Sequence, residues 1–102
     1  MDSKDSAVSD TCELRAVIGL TRGLPNSDIE TLTVNAIRLH RQLVEKADQF
    51  FQALPEDYQT GKSVGGDQHL EYIEAMIEMH AQMSAVSALV GVLGYIPKVS
   101  VN

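Results

Sequence analysis

Few side chains in this chain are placed to do chemistry, and each has a plain structural reading beside the chemical one. His40 and His80 lie on the two long helices that the pattern predicts, and folding about a midpoint near residue 61 sets them at similar height on facing seams. Paired imidazoles there could ligate zinc or iron, and two copies of the chain would bring four together. Helical metal sites usually add a glutamate three residues before a histidine, and no Glu-x-x-His occurs. Hydrogen-bonded core histidines are the simpler expectation, with a small helical-bundle metal-binding protein using His40 and His80 as the alternative. His69 reads as a polar first-turn residue.

Thr60-Gly61-Lys62-Ser63 resembles the end of a phosphate-binding loop, but the earlier glycine position holds Glu56 and no buried strand precedes it. Glu71, Glu74 and Glu78 share a helical face; an acid–base pair would need burial or a charge partner to split its pKa values, so a solvated face is expected. Cys12 is the only cysteine, has no cation nearby to activate it, and cannot close an internal disulfide. A helical enzyme of the chorismate-mutase type would need convergent cations, and Arg15, Arg22, Arg38 and Arg41 share no face. These residues predict a protein that is not an enzyme, with no cofactor, no metal and no small-molecule substrate.

Stepping along the chain locates the elements that would hold any site. The formal net charge of -6 and the scattered basic residues argue against direct nucleic-acid binding, although an acidic chain can complement a basic, nucleic-acid-binding partner. Met1 to Asp5 is acidic and polar, unlike a signal peptide, and Met83 to Ile96 falls short of the roughly 20 residues that span a bilayer. A cytoplasmic protein without membrane attachment is expected, in keeping with the lone cysteine.

Residues 1–9 read as a disordered acidic tail, and residues 10–102 as a single helical domain with helices at about 11–22, 27–54 and 68–93. Asp10 with Glu13 opens a short apolar helix that Gly23 and Pro25 stop. Ser27 with Glu30 forms a stronger capping box, and Pro55 ends the helix it starts. One seam of that helix carries Ile29, Thr33, Ala36, His40, Leu43, Ala47, Phe50 and Leu54, widened by Ile37, Val44 and Phe51 on one side and by Leu32 and Leu39 on the other. Pro55 to Asp67 is a flexible glycine-containing loop anchored by Tyr58, and Asp67 is the candidate cap of the last helix, which Gly94 and Pro97 close.

In that last helix Tyr72, Met76, Met79, Met83, Val86, Val90 and Leu93 form a heptad seam. A neighbouring row, Ile73, Ile77, His80, Ser84, Ser87, Gly91 and Gly94, shrinks towards the C-terminus. A third begins as Glu71, Glu74 and Glu78 and becomes Ala81, Ala85, Ala88 and Val92. A helix apolar all round needs cover on every side, and one antiparallel hairpin supplies it on one. The fold expected is all-α: two long antiparallel helices plus a short N-terminal helix, assembling as a homodimeric helical bundle. Its dimer interface would hold Ala81, Ser84, Ala85, Ala88, Gly91 and Val92, small residues that let backbones approach.

Several strings carry a family resemblance: Gly19-Leu20-Thr21-Arg22-Gly23-Leu24-Pro25, Leu43-Val44-Glu45-Lys46-Ala47-Asp48, Gln52-Ala53-Leu54-Pro55-Glu56, Tyr72-Ile73-Glu74-Ala75, Ile77-Glu78-Met79-His80-Ala81-Gln82-Met83-Ser84 and Gly94-Tyr95-Ile96-Pro97-Lys98-Val99. Together they resemble the TraM quorum-sensing antiactivators of plant-associated bacteria that carry conjugative plasmids. The resemblance covers nearly everything after the first dozen residues. It implies a homodimer that binds a LuxR-type transcriptional activator, TraR, prevents it from binding DNA and so represses plasmid conjugal transfer. Large apolar groups near the ends of the bundle are the expected contacts with that activator: Leu20, Leu54, Tyr72 and Met79, with Arg22 as a polar contact.

Overall fold

The computed structural model describes residues 15–100, and among them every regular element is helical. Residues 15–21 form the described part of α1, followed by α2 (Asn26–Ala53), α3 (Glu56–Gln59) and α4 (Asp67–Leu93). The acidic tail, the Asp10–Glu13 cap and Cys12 lie outside the described residues.

Both long helices start differently from the sequence expectation. Pro25, not Ser27, is the N-cap of α2, and no side chain caps it. The proline's fixed φ pre-organises the first turn, and its carbonyl accepts from Asp28 and Ile29 N–H at 3.0 and 3.2 Å, so the Ser27–Glu30 box is not needed. Likewise Gly66 rather than Asp67 caps α4, and Asp67 instead sits in the first turn, where a negative charge meets the positive helix end. The end of α4 follows the expected rule: Gly94 adopts φ 94° and its N–H reaches the Val90 carbonyl at 2.8 Å.

The connection between them is more built than a flexible loop. Pro55 starts α3, which brings the Gln59 amide back onto the carbonyls of Phe51 and Leu54, each at 3.0 Å. From the start of α4, Gln68 donates to the Ala53 carbonyl at 2.8 Å. Two glutamines thus satisfy the orphan carbonyls at the C-terminal end of α2. Gln59→Ala is expected to lower stability by about 1–2 kcal/mol in a urea melt, because it removes the donor to the Leu54 carbonyl and the second donor to the Phe51 carbonyl, which keeps only the Leu54 N–H.

α2 and α4 pack antiparallel, with register marked by Phe51 against Tyr72, Lys46 on Glu78 and Gln82 on the Ala36 carbonyl. On α2 the core face is the predicted seam: Ile29, Thr33, Ala36, Leu43, Ala47 and Leu54 are buried. Thr33 is fully enclosed, its hydroxyl donating to the Ile29 carbonyl at 2.8 Å. On α4 the seam keeps Val86 and Leu93 from the expected one but is turned by roughly half a residue, so that Ala75 and Gln82 take the places of Met76 and Met83. Ala75, Val86 and Leu93 are buried and Gln82 faces α2, whereas Met83 is 44% exposed. Ala75 allows close approach, and the Gln82 amide finds a carbonyl at 3.0 Å that offsets its desolvation. Met83 is displaced to the flank.

Beyond Gly94 the chain leaves α4 and straps the back of α2. Tyr95 Oη donates to Glu30 Oε2 at 3.0 Å, while Arg38 donates to Ser100 Oγ at 3.1 Å and Arg41 to the Ser100 carbonyl at 3.0 Å. The hydrogen bond to Glu30, then desolvation and the carboxylate's charge, raise the Tyr95 phenol above its ordinary 10.0. Its proton is therefore held more tightly in the folded chain than in the unfolded one. The strap's contribution is full below the ordinary tyrosine range and is lost as pH rises through the raised value. Tyr95→Phe is expected to remove a tyrosinate absorbance step lying above that ordinary value.

An 18-residue window of α4 has mean hydropathy 1.3, so by length and composition α4 could cross a bilayer, which corrects the estimate from Met83–Ile96 alone. One such helix is weak evidence, and α4 engages α2 through Gln82 and Glu78 as a bundle helix does. Only 17% of that window is buried within the chain, so most of this apolar helix still wants cover. The Cα radius of gyration, 16.6 Å, exceeds the roughly 13 Å of a compact domain of this size.

Candidate protein-docking surface

The residues with chemical potential do not converge. His80 is exposed, which corrects the expectation of a core histidine on α4, while His40, on the α2 seam, is half-buried. Among the described residues no group of three or more His, Cys, Asp or Glu could hold a metal ion. Glu71, Glu74 and Glu78 are exposed on one face of α4. Thr60 ends α3, its hydroxyl donating to the Asp57 carbonyl, so the phosphate-loop look-alike is a helix terminus followed by a turn.

The residues proposed to contact a partner fall at two ends of the molecule. Leu20, 82% exposed, and Arg22, also exposed, precede the start of α2. Leu54 and Tyr72 lie at the other end of that helix, which is about 40 Å long at 1.5 Å per residue. Leu54 is only 4% exposed in the single chain, closed in at the turn into α3. Tyr72 is half-buried in an aromatic ladder, 5.5 Å from the Phe51 ring and stacked at 6.4 Å on His69, which meets Tyr58 edge-on. His69 is tied down by the Gly65 N–H, which donates to Nδ1 at 2.8 Å, so it is more than a polar first-turn residue. Met79 is half-buried against α2.

Of the proposed dimer residues, Ala81 and Gly91 are exposed and Ser84, Ala85 and Val92 half-buried. Ala88 is already 6% exposed in the single chain, so a second copy would not bury it further. The larger apolar groups nearby were missing from that set. Ile77 is 63% exposed, and Leu70, Met83 and Val44 are exposed as well. Of these, Ile77 belongs to the Ile73–Ile77–His80–Ser84 row that the spacing already marks as apolar.

At 100° per residue the two flanks of the pair differ in charge. One side carries Val44 from α2 and Met83 from α4 and runs round to the outer face of α4 with His80, Ile73, Ser84 and Ile77, and none of these bears a formal charge. The other carries Leu32, Leu39, Lys46 and Phe50 from α2 beside Glu71, Glu74 and Glu78 from α4. Lys46 Nζ pairs with Glu78 Oε1 at 3.3 Å, half-exposed on both sides, so the bridge marks register more than it stabilises.

Two long helices with uncovered apolar flanks, and no convergent catalytic groups among the described residues, define a small helical module that works through its surface. Comparison with known proteins gives the class its family. The chain belongs to the TraM family: residues 1–98 match the family described as prokaryotic transcriptional repressor TraM. It is 64% identical, over the whole of both chains, to a transcriptional repressor TraM of Agrobacterium fabrum, and 63% identical to one of Rhizobium radiobacter, again over both full lengths. It also resembles the crystal structure of a second quorum-sensing antiactivator, TraM2, from A. tumefaciens. The TM-score is 0.84 at 77% identity, covering 86% of this chain and 99% of that one. The family is regulatory and is not a family of enzymes.

Proposed function

We propose that this chain is a quorum-sensing antiactivator that binds the LuxR-type activator TraR in the cytoplasm, keeps it from DNA and thereby represses plasmid conjugal transfer. The observation that carries this reading is the uncovered apolar surface of α4 in a chain of a repressor family: only 17% of its most apolar window is buried internally. Such a surface stabilises complexes with other proteins when it is covered. If the complex and DNA binding exclude each other, each ligand weakens the other by the same coupling free energy.

The working form is a homodimer. A twofold interface sets like against like, which an uncharged flank tolerates and an acidic one resists. The face bearing Ile77, Met83 and Val44, continued by the exposed Gly91, is the one suited to a second copy. The test is a mixing experiment: purified chain is added to signal-bound TraR on its promoter DNA, and loss of the DNA complex is followed by mobility shift. Saturating loss near stoichiometric ratios is expected. Unaltered DNA binding at large excess rejects the proposal.

A further inference from the structure

We infer that the acid-edged flank of the α2/α4 pair is a docking groove for a basic amphipathic helix of the partner, an assignment that rests on the antiactivator reading above. The groove has two halves. Towards the start of α2 it is apolar, with Leu32 and Leu39 exposed at 41% and 43%. Towards the loop it opens into a hollow of about 310 Å³ lined by Phe50 and Ala75, with Glu71, Glu74, Glu78 and Lys46 around it. Lys46 already engages Glu78, and among the described residues no cation lies within ion-pair distance of Glu71 or Glu74.

Charge complementarity selects the occupant. A second copy would bring two net-negative flanks together, which disfavours self-association here. A lysine or arginine from another protein would lay its stem on Phe50 and place its charged head between Glu71 and Glu74, with apolar neighbours on the same helix meeting Leu39 and Leu32.

The decisive comparison uses the full chain as wild type, as Glu71→Lys/Glu74→Lys and as Leu39→Ser, each titrated with purified signal-bound activator at two salt concentrations and each sedimented alone. Reversing the charges is expected to weaken activator affinity at least tenfold and to flatten its salt dependence, with sedimentation and thermal melting unchanged. Leu39→Ser, which carries no charge, is expected to weaken binding severalfold with the salt dependence kept. Undiminished affinity in both variants, while the wild type binds, overturns the groove assignment alone. Loss of self-association in the charge variant also overturns it, because the groove would then be the interface between copies. A wild type that fails to bind the activator at all rejects the antiactivator reading itself, and the groove's occupant with it.

Discussion

Leu54→Ala is expected to destabilise the folded chain by about 2–5 kcal/mol, the range found for deleting a fully enclosed leucine side chain. Leu54 is 4% exposed, and it sits where α2 stops, α3 begins and the Gln59 amide returns to the Leu54 carbonyl. That turn is braced by hydrogen bonds to backbone carbonyls and cannot easily collapse into the space left behind. The cavity cost therefore adds to the lost transfer energy. Urea unfolding by circular dichroism would read the effect as a lower midpoint. Leu20→Ala is the matched control, since a side chain 82% exposed contributes little to the fold and should move stability by no more than about 0.5 kcal/mol. Activator binding should follow the opposite order once both proteins are measured under conditions where they are folded: Leu20→Ala weakens it and Leu54→Ala does not. A stable Leu54→Ala protein with weakened binding would place Leu54 in the contact surface after all.

The second large effect is on assembly. Ile77→Glu is expected to abolish self-association at micromolar concentration while leaving the helical content of the chain intact. Ile77 is 63% exposed in the single chain, so its replacement costs the hairpin little. In a twofold dimer each copy contributes one such side chain. Burying an isoleucine is worth about 1.5–3 kcal/mol, so losing both removes about 3–6 kcal/mol before the penalty of two buried carboxylates is counted. The dimer constant should weaken by at least about 100-fold, which sedimentation velocity resolves directly. An unchanged sedimentation profile would mean that the uncharged flank is not where the copies meet. The groove variants at Glu71 and Glu74 provide the contrast: they should change activator binding and leave sedimentation alone.

The sequence by itself determined the elements and one of the two packing faces. α2 has a single apolar arc bounded by polar residues, so the spacing of Ile29, Thr33, Ala36, Leu43, Ala47 and Leu54 had only one solution, and the coordinates bury those residues. The stops at Pro55 and Gly94 followed from the missing amide hydrogen of one and the positive φ open to the other. The family, too, was legible in strings such as Ile77-Glu78-Met79-His80-Ala81-Gln82-Met83-Ser84, without any chemical motif. Tertiary structure decided the rotation of α4. That helix is apolar in most directions, so periodicity does not choose among its faces. The choice fell to particular partners on α2: the Ala36 carbonyl took Gln82 inward, and Met83 moved to the flank. It also decided that Leu54 is core and that residues after Gly94 strap α2, through side-chain bonds joining residues 62 and 65 apart in sequence. Bonds of that span leave no trace in local pattern, because either partner alone is an ordinary polar surface residue until the fold brings the other beside it.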